Sequence, residues 1–100
     1  MDSQIIKEYI QSDANVLSIV EEKDNFDRLC FLINFKRDLE SLNKIETIKS
    51  KTEHKFGIYI YVMYDQIGDQ LSNDDWGEEI CIDFYCFEDK SEYIGMLIGE

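Results

Sequence analysis

The residues of this chain best suited to chemistry are its carboxylates. Six of them, Asp65, Asp69, Asp74, Asp75, Glu78 and Glu79, fall in one stretch that contains no cation. Trp76, the only tryptophan, stands among them. Such a run offers three kinds of chemistry: holding a metal, acid–base catalysis by a carboxylate pair, or attraction of a cationic partner. A helix–loop–helix calcium site needs acids at alternate positions, glycine at the sixth and glutamate at the twelfth. Neither Gly68 nor Gly77 has the required acids ahead of it. A looser calcium set, Asp69, Asn73, Asp74 and Asp75, is the one remaining metal candidate, and no metal is expected. Zinc is disfavoured because His54 is the only histidine and Cys30, Cys81 and Cys86 lack ligand spacing.

Catalysis finds little support. A nucleophilic Cys–His pair needs an accessible thiol, whereas all three cysteines sit inside apolar runs, where free Cys behaves as a small hydrophobe. His54 follows a lysine-rich stretch and reads as a solvated residue. Carboxylate pairs are too abundant here to point to acid–base work. The five glycines are scattered and form no phosphate-cradling loop. The expectation is a protein that is not an enzyme and carries no cofactor.

Electrostatic attraction is the chemistry that remains. The net charge is −12, and it is unevenly spread. Residues 1–55 hold eleven acidic and nine basic residues, whereas residues 56–100 hold eleven acidic residues and Lys90 alone. Like charges gathered in this way steer cationic partners and raise association rates. A tryptophan among them supplies a residue type enriched at binding hot spots. Direct nucleic-acid binding is disfavoured by the overall charge, although Lys36, Arg37, Lys44, Lys49, Lys51 and Lys55 form a basic pole.

The elements that position these residues follow from periodicity. Asp2 or Ser3 caps a first helix with Ile5, Ile6, Tyr9 and Ile10 on one face, ending near Ser12-Asp13. Val16 to Val20 reads as a strand and Glu21 to Asn25 as a polar turn. Arg28 to Phe35 alternates, with Leu29, Phe31, Ile33 and Phe35 on one side, which makes a hairpin. From Lys36 to about Thr52, Leu39, Leu42, Ile45 and Ile48 recur at helical spacing. Phe56 to Tyr64 and Glu79 to Phe87 are strands, Glu88 to Ser91 a turn, and Tyr93 to Ile98 a last strand broken at Gly95.

The fold expected is a single α+β domain over residues 1–100. It is mainly an antiparallel sheet of about five strands with two helices on one face, in the order α-β-β-α-β-β-β. That arrangement leaves Tyr59, Tyr61, Met63, Tyr85 and Phe87 on the sheet face opposite the helices. This aromatic set is a second candidate interface, for a partner or for a second copy of the chain.

With 44% apolar residues and 13% aromatics the chain folds despite its charge. No basic-then-apolar leader is visible, and no apolar stretch approaches the roughly 20 residues of a membrane helix. Three cysteines in apolar runs suit reduced thiols in a cytoplasmic setting. The functional expectation is a small acidic inhibitor or immunity-type protein that neutralises a basic effector, such as a toxin or nuclease, by stoichiometric binding. In that role its acidic loop imitates a nucleic-acid phosphate surface or blocks a cationic cleft. The alternative is a non-catalytic subunit or homodimer assembling through the Tyr-rich face.

Overall fold

Hydrophobic alternation and helix caps account for most of the architecture in the computed structural model, which describes residues 2–36, 39–63 and 79–98. Ser3–Gln11 forms helix α1, capped by the Asp2 carboxylate, which accepts the N–H groups of Gln4 and Ile5. Val16–Lys23 (β1) and Leu29–Lys36 (β2) make the hairpin. Strand β1 runs on through Glu21, Glu22 and Lys23, which pair with Phe31, Cys30 and Leu29, so the polar turn starts later than its composition implies.

Leu39–Phe56 is helix α2, Tyr59–Met63 is β3 and Glu79–Phe87 is β4. The boundary between α2 and β3 differs from the expectation that Phe56 opens the strand. Gly57 has φ 63°, the left-handed conformation glycine tolerates best, and the N–H groups of Gly57 and Ile58 both bond the Glu53 carbonyl. This cap lets the helix run one turn further than the lysine pattern suggests. The Glu53 carboxylate then accepts the N–H of Ile60 at 2.8 Å, tying α2 to edge strand β3.

The four strands form one antiparallel sheet in the order β1-β2-β4-β3. Register places Ile19, Ile33 and Ile82 in one row, Phe31, Phe84 and Val62 in another, and Phe35 beside Ile80. These residues face α1 and α2 and join Ile6, Ile10, Ile45 and Ile48 in the core. At about 25 cal/mol per Å² of apolar surface removed from water, this layer is the main source of stability. Leu39, expected on the apolar stripe of α2, is 78% exposed, and the helix instead buries Ser41, Ile45, Ile48 and Thr52.

The C-terminal segment is a helix, not the expected fifth strand. Lys90–Leu97 forms α3, and its N-cap Asp89 accepts the backbone N–H of Ser91 at 2.8 Å and the Ser91 hydroxyl at 2.7 Å. Asp89 with Glu92 three residues on is a helix-start signal, and it overrides the strand propensities of Tyr93 and Ile94. The helices also do not all share one face. Tyr93 stacks on Tyr59 with ring centroids 5.7 Å apart and packs against Phe87, so α3 lies on the face opposite α1 and α2. The fold remains α+β, with an antiparallel sheet of four strands and three helices among the described residues. No described helix is long and apolar enough to cross a membrane.

Candidate protein-binding site

The β1–β2 turn is organised by one carboxylate. Asp24 Oδ1 accepts the N–H groups of Phe26 at 2.9 Å and Arg28 at 3.0 Å, while Oδ2 meets Arg28 Nε at 2.6 Å. Burial alone raises the Asp24 pKa, but these bonds and the Arg28 charge outweigh it and hold the carboxyl below its ordinary 3.8. Asp27 takes φ 60° at the turn, a conformation that Asp tolerates better than most residues. The result is an ordered loop with Phe26 at its tip, 77% exposed.

Arg28 lies with its guanidinium carbon 4.8 Å from the Phe26 ring centroid and 5.6 Å from that of Tyr85. Its Nη1 also points at Met96 Sδ, at 3.9 Å. Lys23 pairs with Asp27 at 3.5 Å. Both cations of this hairpin end therefore face carboxylates of their own loop.

Across from the turn stand the end of β4 and the start of α3. Between them is an open cleft of about 920 Å³, where Glu21, Asp27, Glu88, Asp89 and Glu92 outnumber the two lining cations, Lys23 and Arg28, and Phe26 stands on the rim. Its carboxylates come from two segments more than sixty residues apart in the chain, the hairpin and the β4–α3 junction. Hydrogen bonds from the Ser91 side chain and backbone hold Asp89 below 3.8, so it is ionised at neutral pH. An acidic cleft with an aromatic residue on its rim suits a basic, partly apolar segment of another protein.

Of the residues nominated from the sequence, Asp65, Asp69, Asp74, Asp75, Trp76 and Glu78 lie outside the described residues, as does the looser calcium set. Glu79 opens β4 opposite Lys36. Met63, before that stretch, pairs with Asp83 in the middle of β4, whereas Glu79, after it, stands at the end of β4 away from the hairpin turn. The Tyr-rich set is brought together on one face: Tyr59 pairs with Phe87, Tyr61 with Tyr85 and Met63 with Asp83. It does not form an open patch, because α3 covers one end and Phe87 is 3% exposed.

The remaining reactive groups have other surroundings. Burial first, then the charge of Asp83, pushes the Cys30 thiol up to about 12, and burial does the same to Cys86. Cys81 is half-buried, and none of the three is in a disulfide. His54 is exposed in the last turn of α2. Among the described residues, no group of three or more His, Cys, Asp or Glu is arranged to hold a metal ion.

Sequence reasoning missed Glu21, Phe26, Asp27, Glu88, Asp89 and Glu92, because it treated two polar turns as separate punctuation. One signal was present: Phe26, a large apolar residue inside the polar run Asp24–Asp27, is out of place unless it has a task. Comparison with known proteins finds no matching family model, no similar curated protein and no similar solved structure.

Proposed function

We propose that this chain acts by stoichiometric binding of a basic protein, as an inhibitor or immunity-type protein that neutralises a toxin, nuclease or other cationic effector. The observation that carries this reading is the cleft at the hairpin end. There Glu21, Asp27, Glu88, Asp89 and Glu92 converge beside an exposed Phe26. Carboxylates steer and register a cationic segment, and the aromatic rim supplies a surface that can be desolvated. The six acids within residues 65–79 add to the negative charge of the chain, whose net of −12 favours fast encounter with a cationic partner. The setting proposed is the cytoplasm, in keeping with three cysteines that form no disulfide.

The test is an amide chemical-shift titration with an Arg- and Lys-rich peptide at low and high salt. Shifts are expected at residues 21–28 and 87–92, with binding lost at high salt and in the combined Glu21→Gln, Glu88→Gln, Glu92→Gln variant. Phe26→Ala is expected to weaken binding by about 1–2 kcal/mol. Binding that ignores both salt and the triple variant would sink the proposal. Assembly through the Tyr-rich face is the competing reading, and light scattering distinguishes it as a salt-insensitive dimer.

A further inference from the structure

Helix α3 is attached to the sheet differently from the other described elements. No residue of α3 is buried, and none belongs to the hydrophobic core, which among the described residues draws on α1, β1, β2, α2, β3 and β4 and on Ile58 beside β3. Its apolar side chains are divided between two sides. Tyr93 and Met96 turn to the sheet, whereas Ile94, Leu97 and Ile98 are 44%, 52% and 79% exposed. Gly95 in its middle weakens the helix relative to Ala, because glycine loses more backbone freedom on folding. At eight residues α3 is too short to persist without its docking contacts.

Among the described residues, the side-chain contacts that hold α3 are an aromatic stack and one sulfur contact. Tyr93 stacks on Tyr59 at 5.7 Å with an interplanar angle of 27°, and tilts against Phe87 at 6.4 Å. Met96 offers its sulfur to Arg28 at 3.9 Å, the long and weak end of hydrogen bonding. Beneath lies a part of the sheet that does not depend on α3 for its core: Phe87 is buried yet stands apart from the core cluster.

We infer that α3 is a detachable strap, which undocks as a unit while the sheet, α1 and α2 stay folded, and which masks an aromatic strip when docked. The strip is Tyr59 and Phe87, cross-strand partners on β3 and β4 that both meet Tyr93. Local openings of this kind expose little surface, so they respond weakly to denaturant, in contrast to global unfolding.

Native-state hydrogen exchange on the full chain across a urea series tests this. Amides of Ile94, Gly95, Met96 and Leu97 are expected to be at least about tenfold less protected than those of Ile33 and Ile82, with rates that barely change at low urea. Tyr93→Ala is expected to speed all four by about tenfold, the stacking contribution of one aromatic pair. Tyr93→Phe, which keeps the ring, leaves them within about twofold. The inference is overturned if the α3 amides follow the same urea dependence as β2 and β4. It is equally overturned if Tyr93→Ala unfolds the whole domain, or if it accelerates only the last amides of the helix.

Discussion

Asp24 does at one position what a longer turn would need several residues to do. It accepts two backbone N–H groups and pairs with Arg28 Nε at 2.6 Å, closing the β1–β2 connection around Phe26. Asp24→Asn keeps an acceptor but loses the charge-assisted bond, and is expected to cost about 1 kcal/mol in chemical denaturation at pH 7. The pH dependence follows from the lowered carboxyl. Its stabilisation is fully present above the unfolded value of about 3.9. It is lost as pH falls from there through the depressed folded value. The stability gap between wild type and Asp24→Asn is therefore expected to shrink between pH 5 and pH 2, and a gap that is constant over that range would contradict this account.

Among the elements, α2 owes its length to its C-cap. The φ of 63° at Gly57 admits glycine readily and other residues with strain, although a β-carbon there would meet nothing within 4 Å. Gly57→Ala is thus expected to cost about 1 kcal/mol from backbone conformation alone, read as a shifted denaturation midpoint with an unchanged slope. Behind it, Glu53 shares its carboxylate between Lys49 Nζ at 3.4 Å and the Ile60 N–H, joining helix and edge strand in one polar cluster. Helix α3 illustrates the opposite balance. Its start signal at Asp89 and Glu92 is local and strong, yet Tyr93, Ile94 and Ile98 are strand formers in isolation, and capping decides between them.

At the scale of the molecule, the two sheet faces are unequal. Among the described residues, fourteen buried ones form the core between the sheet and helices α1 and α2, whereas on the other face Cys30 and Phe87 are the buried apolar residues. The thiols report on this difference. Cys86 belongs to the core and its thiol is pushed up to about 12 by burial, then by Cys30 and Glu53, while Cys81 is half-buried. At pH 8 an aromatic disulfide reagent is expected to label Cys81 first. Labelling of Cys30 and Cys86 should be at least about a hundredfold slower and should track opening of the fold. Equal rates for all three thiols in the native protein would show that the sheet is far less closed than described.

Much of this was legible along the chain, because alternation and helical spacing are local. Ile6 and Ile10, the row of Phe31, Ile33 and Phe35, and the paired run of Ile80, Ile82 and Phe84 all declared their core side from sequence alone. So did the α+β class and the gathering of acid after Phe56. What the chain could not declare is which distant segments meet. Residues 1–55 are close to neutral in sum, yet Glu21 and Asp27 stand with Glu88, Asp89 and Glu92 around one cleft. The reason is register: Cys30 pairs with Tyr85, which sets the hairpin turn beside the end of β4. The side of the sheet that α3 covers was likewise settled by Tyr93 meeting Tyr59. Composition and periodicity determine which residues must be buried and how much charge the surface carries. Strand pairing across more than fifty residues decides where that charge converges, because it depends on long-range contacts that no local pattern encodes.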